Sequence, residues 1–213
     1  MIQAISVENA HFYDGAYASL FKLRKKMFVD LQKWDIPTFK DMEYDAYDNP
    51  ATTYLVHLND HNQVNGMVRI YPTDRPYMIQ DVWPGIVETM TLPRSGNVYE
   101  GSRFVIDSNV DKETKSRIKR ELVCSMLEFG LNNNIDYYIG VMPDNFWKSV
   151  FIGSGWNVHK LGRTITADDG SEIYAARFNV SEIHLRQVRR ISNIPTPVLH
   201  APQINNLTSK RVA

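Results

Sequence analysis

Residues 99–132 read YEGSRFVIDSNVDKETKSRIKRELVCSMLEFGLN, a pattern that predicts a strand, a short turn and a long helix. The strand contains Gly101, and a glycine inside a strand often marks a bulge or a close approach of another backbone. Asp111 is a suitable N-terminal cap for the helix. The apolar residues of the helix fall on roughly one face: Ile118, Leu122, Met126, Phe129 and Leu131. We therefore expect this helix to pack against a sheet that contains the bulged strand.

Further elements are predicted on both sides of this unit. Upstream, the pattern indicates an edge strand, an amphipathic helix, a polar loop, a two-stranded hairpin and a helical turn, at residues 1–7, 17–31, 34–48, 52–72 and 78–82. Downstream, it indicates a strand, a short helix, two strands and a last helix, at residues 135–143, 144–155, 157–166, 172–180 and 181–191.

This order of elements favours an α+β fold, a three-layer α/β/α sandwich with a mixed central sheet. We expect a single domain over residues 1–192. Residues 193–213 carry three prolines and no periodicity, so they are predicted to form a flexible C-terminal tail.

The composition argues against several classes of protein. Lys plus Arg and Asp plus Glu both number 24, so no net charge attracts nucleic acid or an anionic membrane. Cys124 is the single cysteine, which excludes an intramolecular disulfide and a cysteine-based zinc cluster, and the six histidines lack ligand spacing, so no metal is expected. The chain has neither a start that resembles a signal peptide nor 18 consecutive apolar residues. We expect a cytoplasmic protein without membrane insertion.

Charged and aromatic residues concentrate in the first half of the chain, in a pattern that folding alone rarely needs. Three acids fall within six residues, beside a tryptophan and downstream of a basic helix. The set comprises Arg24, Phe28, Trp34, Glu43, Asp45, Asp48, Arg69, Glu100 and Arg103. These residue types suit a site that holds a zwitterionic, cationic substrate and moves a proton.

These nine residues and their spacings resemble the acyl-homoserine-lactone synthase family, the autoinducer synthases of quorum sensing. The similarity extends over residues 1–180 and includes EYDAYD at 43–48, GMVRIYPT at 66–73 and YEGSRF at 99–104. At one family position that is usually Phe, this chain has Trp83, which keeps an aromatic wall. The resemblance implies a fold like that of the N-acetyltransferases (the GNAT fold), with an opening between two strands for a phosphopantetheine arm.

The resemblance also implies the reaction. An acyl group passes from acyl-CoA or acyl carrier protein to the amine of S-adenosylmethionine, and the product then closes to a lactone and releases methylthioadenosine. Both compounds are substrates, so no permanently bound cofactor is expected. The sequence leaves the oligomeric state open.

The acceptor amine of such a reaction is protonated at neutral pH, so a base must remove a proton directly or through a water molecule. Glu43 is our candidate for this base. Trp34 and Phe28 are candidates to contact the sulfonium cation through their ring faces. Each aromatic residue also has a simpler interpretation as a packing residue, since Phe28 lies on the apolar face of the predicted helix.

The acceptor carboxylate needs a fixed cationic partner, and three arginines are candidates: Arg24, Arg69 and Arg103. Asp45 and Asp48 would anchor the amino group or orient these arginines. Glu100 joins Arg103 as a catalytic candidate, and a structural role for Glu100 is equally open.

On the thioester side, backbone N–H groups of residues 101–104 are the natural donors to the oxyanion, with Ser102 and Phe104 beside them. By resemblance, the acyl pocket is lined by Val141, Met142, Phe146, Trp147 and Phe151. A methionine at 142 offers no good hydrogen-bond donor to a 3-oxo group, which favours an unsubstituted acyl chain. The aromatic residues would shorten the pocket, and this helix resembles the subgroup that uses coenzyme A.

Two alternatives stay open. An N-acetyltransferase acting on another amine would usually carry a glycine-rich loop before the long helix, and the stretch DSNVDKETKSR at 107–117 has no glycine. A non-enzymatic module that binds S-adenosylmethionine or acyl thioesters would not need Glu43. The basic residues of this helix are either a solvated face or a surface that docks an acidic carrier protein: Lys112, Lys115, Arg117, Lys119 and Arg120.

Overall fold

A mixed β-sheet forms the centre of the molecule, and the computed structural model describes residues 1–13 and 15–200. The strands in this part of the chain are β1 (Ile2–Ile5), β2 (Thr38–Phe39), β3 (Met42–Glu43), β4 (Thr53–Leu58), β5 (Val64–Pro72), β6 (Val98–Ile106), β7 (Tyr137–Pro143), β8 (His159–Lys160), β9 (Ile165–Thr166), β10 (Glu172–Asn179) and β11 (Leu199–His200). The main sheet has the order β11-β1-β4-β5-β6-β7-β10-β8, and β9 also pairs with β10. Strands β2 and β3 form a separate hairpin.

Helices cover both faces of the main sheet. They are α1 (Ala16–Arg24), α2 (Met78–Val82), α3 (Lys112–Asn132), α4 (Asp144–Phe146) and α5 (Glu182–Ser192). Helix α1 continues as a π-helix over Lys25–Leu31, and α4 continues as a π-helix over Trp147–Phe151. Side chains of α3 and α5 share one apolar cluster with one face of the sheet, whereas α1 packs on the opposite face. The predicted α+β fold with three layers and a mixed sheet is confirmed.

Helix α3 begins where the sequence predicts. The carboxylate of Asp111 accepts hydrogen bonds from the backbone N–H groups of Glu113 and Thr114, both at 2.9 Å. These groups would otherwise have no partner at the helix end. Within residues 1–13 and 15–200, no helix is both long enough and apolar enough to cross a membrane, and this includes α3.

The bulge in β6 lies at Arg103 rather than at Gly101. The register between β5 and β6 shifts there, so that Arg103 and Phe104 together oppose Val68. Arg103 adopts the left-handed backbone region, with φ at 54°. Gly101 instead permits close packing of α3, because a Cβ at that position would lie 3.3 Å from the terminal methyl of Met126.

Strands β6 and β7 separate after a short parallel contact. They pair only over Val98–Glu100 and residues 137–139, although both strands continue. Beyond that contact, β6 stays with β5 and β7 stays with β10, so a wedge opens between them. The backbone groups that line the wedge lose their ladder partners, and the opening expected from the family resemblance is present.

Two predicted stretches differ in detail. Residues 157–166 were expected to form one strand, but they form the short strands β8 and β9. The chain leaves the sheet at Leu161, whose carbonyl accepts hydrogen bonds from the backbone of Glu88 and Thr89. Residues 34–48 were expected to be a loop, and they contain the β2–β3 hairpin, which carries Glu43.

The predicted C-terminal tail begins too early. Residues 193–200 pack onto the molecule, and β11 pairs in parallel with β1. The buried carboxylate of Glu128 on α3 accepts hydrogen bonds from the backbone N–H groups of Val198 and Leu199, and it forms an ion pair with Arg189. Pro195 and Pro197 interrupt the pattern by which a strand is predicted from the sequence. The residue that holds the segment in place, Glu128, lies about 70 residues away in the chain, so no local pattern indicates the contact. Residues 201–213 of the predicted tail lie outside the described residues.

The Glu128 contacts predict a stability difference between two shortened chains. A chain that ends after Asn193 leaves the buried carboxylate without its two N–H donors, and each lost partner of a buried charged group costs about 1–3 kcal/mol. We expect this chain to unfold at lower urea concentration than a chain that ends after His200. Equal unfolding midpoints for the two chains would contradict the assigned role of Glu128.

Candidate functional site

Three neighbouring strands present polar side chains on the sheet face that α1 covers. Tyr54 on β4 lies opposite Arg69 on β5, and Arg69 lies opposite Ser102 on β6. Arg24 reaches the same place from the end of α1, and Glu43 reaches it from β3. Residues that are distant in the sequence therefore meet between the sheet and the segment that follows α1.

Arg24 is completely buried and is held by two carboxylates. Its Nε and Nη2 atoms donate to the two oxygens of Glu43 at 2.5 and 2.9 Å, a bidentate contact. Its Nη1 atom donates to Asp48 at 2.6 Å. Burial opposes ionisation of Asp48, but Arg24 and Arg69 outweigh it and hold the pKa of this carboxyl below its usual value. All three nitrogens of the Arg24 guanidinium are thus engaged within the protein.

Arg69 is also completely buried, and two of its three nitrogens donate to oxygen atoms, while Nη2 lies 4.0 Å from the sulfur of Met78. Its Nε atom donates to the hydroxyl of Ser102 at 2.9 Å, and its Nη1 atom donates to Asp45 at 2.5 Å and Asp48 at 3.1 Å. Tyr54 adds a further donor to Asp48, at 2.6 Å. Asp45 and Asp48 therefore orient the arginines, as one of the two roles predicted for them requires.

Arg103 has hydrogen-bonding capacity to spare. Its Nη2 atom donates to Glu43 at 3.2 Å and to Asp45 at 2.9 Å, but its Nη1 atom faces only the sulfur of Met78, at 3.7 Å. Its Nε atom is buried and has no partner among the described residues. Burial lowers the pKa of Arg103, because two nearby carboxylates compensate the desolvation only in part. An anion placed against Nη1 would give that nitrogen an oxygen acceptor in place of the weak contact with sulfur.

Phe28 and Trp34 form a stacked aromatic pair beside Arg103. Their ring centroids are 4.8 Å apart, and the ring planes differ by 13°. The Arg103 guanidinium carbon lies 5.6 Å from the centre of Phe28 and 6.0 Å from that of Trp34. The π-helix after α1 supports the pair, since the backbone N–H of Trp34 donates to the carbonyl of Phe28 at 2.9 Å. Both aromatic residues therefore belong to the site, although Phe28 is also part of the core.

Glu100 lies next to this network but has different partners. Its oxygens accept backbone hydrogen bonds from Met78 at 3.2 Å and Ile79 at 2.8 Å, at the start of α2. Complete burial raises the pKa of Glu100 to about 7, against the opposing effects of Arg69 and these two N–H groups. Glu100 is therefore a carboxyl group that titrates near neutral pH.

A cleft lies on the other side of the bulge. Its volume is about 460 Å³, and Phe104 lines it immediately after Arg103 in the chain. The walls come from the end of β6, the first turns of α3, the π-helix after α4 and the π-helix after α1. The lining residues are Met27, Gln32, Phe104, Val105, Ile106, Lys112, Lys115, Ser116, Lys119, Phe146, Ser149 and Val150.

The predicted acyl-pocket residues are not all found at this cleft. Phe146 lines it, but Trp147 and Phe151 are buried in the aromatic core around Phe178, with ring centroids 5.6 and 4.9 Å from that residue. The two remaining acyl-pocket candidates lie on β7, where Met142 packs against the α3 cluster and Val141 against the cluster around Tyr77. Trp83, predicted as an aromatic wall, also packs against the cluster around Tyr77.

Two residues of the site escaped the sequence analysis. Tyr54 donates to Asp48, and the sulfur of Met78 contacts both Arg103 and Arg69. Only the cross-strand register brings Tyr54 beside Arg69, and no local pattern indicates it. Among the described residues, no three His, Cys, Asp or Glu side chains converge in a way that suits a metal ion.

Comparison with known proteins agrees with this geometry. A family model described as autoinducer synthase matches residues 9–188. An isovaleryl-homoserine lactone synthase of Bradyrhizobium diazoefficiens is 31% identical over 163 residues, which are 76% of this chain and 72% of that protein. The solved structure of BjaI, a CoA-dependent acyl-homoserine lactone synthase, with SAM and isopentyl-CoA is similar with a TM-score of 0.85 and 26% identity. That similarity covers 95% of this chain and 93% of BjaI.

The fold extends to a wider group of enzymes. A Lactobacillus plantarum structure assigned as an N-acetyltransferase is similar with a TM-score of 0.56, although it is only 12% identical. The similarity covers 84% of this chain and 99% of that chain, so the expected likeness to the GNAT fold is confirmed. Because the family model extends over most of the sequence, this chain belongs to the autoinducer synthases, the acyl-homoserine-lactone synthase family of acyltransferases.

Proposed function

We propose that this protein acylates the amine of S-adenosylmethionine from an acyl thioester and closes the product to an N-acyl-homoserine lactone. One observation carries the proposal. At the β6 bulge, Arg103 joins the buried charge network, and the next residue, Phe104, lines the cleft. An acceptor held at the network and a thioester held in the cleft would therefore meet at the bulge.

Arg103 is the residue that we assign to the acceptor carboxylate. Arg24 is fully engaged by carboxylates, and Arg69 is completely buried. Arg103 is partly exposed and retains an unpartnered Nε and a weakly engaged Nη1. The stacked pair of Phe28 and Trp34 supports binding of the sulfonium cation, because aromatic faces attract cations.

Glu100 is a better candidate for the base than Glu43. The carboxylate of Glu43 is bound by Arg24 through both oxygens and also by Arg103, so both of its oxygens already accept hydrogen bonds from arginines. Glu100 has no such partner, and its pKa of about 7 matches a base that works at neutral pH. Because Glu100 is completely buried, we propose that the proton reaches it through a water molecule.

The chemical steps then follow from this arrangement. The neutral amine attacks the thioester carbonyl, the C–S bond breaks, and the thiol leaves with a proton. Backbone N–H groups of residues 101–104 that face the wedge are proposed to stabilise the oxyanion. The acceptor carboxylate then attacks the carbon next to the sulfonium sulfur, whose C–S bond breaks, and methylthioadenosine leaves. This second step needs positioning alone, since a neutral thioether is a good leaving group.

We further propose that the donor is an acyl-CoA with a short, unsubstituted or branched acyl chain. BjaI is CoA-dependent, and its structure was solved with isopentyl-CoA. In this chain, Phe104 and Phe146 meet edge to face with ring centroids 5.7 Å apart and restrict the apolar end of the cleft. Because both proposed substrates are cytoplasmic metabolites, the proposal includes a cytoplasmic location.

The direct test is product formation. Purified protein incubated with S-adenosylmethionine and a panel of acyl-CoA and acyl-carrier-protein thioesters is expected to form an acyl-homoserine lactone and methylthioadenosine in equal amounts. Mass spectrometry identifies both products. Absence of lactone across the panel would sink the proposed function, and methylthioadenosine without lactone would indicate a different acceptor reaction.

Replacing each of the two glutamates by glutamine is predicted to have a different effect, on the rate for Glu100 and on the stability for Glu43. Glu100→Gln removes the base and is expected to lower kcat on the order of 100-fold. In the wild type, kcat should fall below about pH 7 as Glu100 becomes protonated, and this limb should disappear in the variant. Glu43→Gln leaves Arg24 buried without full compensation and is expected to lower the free energy of unfolding by about 3–5 kcal/mol. The assignment is wrong if Glu100→Gln keeps both its rate and its pH profile.

Arg103→Lys tests the carboxylate site. A lysine keeps the positive charge but cannot offer two parallel N–H donors, so KM for S-adenosylmethionine should rise about tenfold while KM for the thioester stays the same. Arg75→Lys is a matched control, because Arg75 is exposed and its one ion pair within the described part of the chain is with Asp74. A rise in KM for the thioester alone would instead link Arg103 to the donor.

A further inference from the structure

We infer that this chain binds the diphosphate of its nucleotide-linked thioester donor with lysine side chains of α3, in place of the backbone of the helix N-terminus. The site comprises Lys112 and Lys115, and Lys119 lines the same cleft one helical turn after Lys115. The inference rests on the proposed function in taking the acyl donor as the ligand, and it assigns the residues that recognise the donor's phosphates.

The lysines line the cleft from one side of α3. They recur at intervals of three and four residues, so they form one row along the helix and rise about 4.5–6 Å from one to the next. Lys119 is already tied down, because its Nζ atom donates to the carbonyl of Ser149 at 2.9 Å. The ion pairs found in residues 1–13 and 15–200 do not include Lys112 or Lys115. Two cations at the mouth of the cleft are therefore ready to accept an anion.

The helix N-terminus itself is already occupied by a negative charge. The carboxylate of Asp111 accepts the N–H groups of Glu113 and Thr114, which are among the donors that a phosphate would need. A phosphate brought to the same place would also be repelled by this carboxylate. The backbone at the start of α3 therefore cannot bind the phosphates in this chain, and the lysine side chains bind them instead.

The rest of the cleft matches the other end of such a donor. Beyond the lysines, the walls are apolar and lead towards the bulge, with Phe104, Val105 and Phe146 among the lining residues. A ligand that fits is negatively charged at one end and apolar at the other. A diphosphate supplies more charge than the single phosphodiester of a carrier-protein arm, so a row of lysines favours a nucleotide-linked thioester.

The first test measures binding and does not depend on catalysis. Free coenzyme A is titrated calorimetrically into the full chain and into the variants Lys112→Gln, Lys115→Gln and the double variant. We expect Kd to rise about fivefold for each lysine and the wild-type affinity to fall with added salt. Arg117→Gln is the matched control, since Arg117 is exposed on α3 and does not line the cleft; its Kd should stay unchanged.

The second test compares two donors in steady-state assays. KM for acyl-CoA should rise in the lysine variants, while kcat/KM for the phosphate-free S-acyl-N-acetylcysteamine thioester and KM for S-adenosylmethionine should not change. If no thioester yields lactone, the proposed function fails, and the titration still decides the phosphate site.

Three results would overturn the inference. One is an unchanged Kd for coenzyme A in the double variant. Another is tighter binding of coenzyme A by Asp111→Ala together with no effect of the lysine changes, which would return the diphosphate to the helix backbone. The last is a lysine effect on transfer from acyl carrier protein alone, which would make this row a protein-docking surface.

Discussion

Buried charge must be neutralised, and this constraint organises one whole face of the molecule. Arg24 and Arg69 have no solvent exposure, and removing a guanidinium from water costs several kcal/mol unless partners surround it. The three acids of the segment after α1 supply those partners, so the β2–β3 hairpin and the residues behind it are fixed onto the sheet. This segment thereby forms one wall of the candidate site. Arg103 completes the set, and its buried Nε has no partner among the described residues.

The bulge at Arg103 separates two environments that the reaction needs. An extra residue in β6 sends the side chains of Arg103 and Phe104 to different places, one into the charge network and one into the cleft. The divergence of β6 and β7 starts just before it and frees backbone groups along the wedge. The left-handed conformation of Arg103 costs some backbone energy, which the ion pairs with Glu43 and Asp45 offset. Strain at this residue is thus coupled to the geometry of the acceptor site.

The sequence predicted well which residues form the charge network, and it predicted poorly which of them bind to each other. The nine residues that suggested the family lie together around the β6 bulge, with Glu100 at one side. Their partners depend on cross-strand register, which a single sequence does not encode locally, and Tyr54 and Met78 escaped notice for this reason. Trp147 and Phe151 were predicted at the pocket because their composition is apolar and aromatic. That composition is equally suited to the core, and both residues pack against Phe178, so their place at an acyl pocket stays a prediction.

Hydrophobic periodicity, capping residues and the spacing of charged residues determined the order of elements, the fold class and the family, because each of these signals lies within a few residues of chain. Tertiary structure alone decided the rest: the position of the bulge, the attachment of β11 through Glu128 and the different surroundings of Glu43 and Glu100. The two glutamates have the same side chain, and they differ only in what surrounds it. Glu43 is bound by two arginines, whereas Glu100 is buried against two backbone N–H groups. Only the folded chain brings those surroundings together, and the burial of Glu100 raises its pKa to about 7.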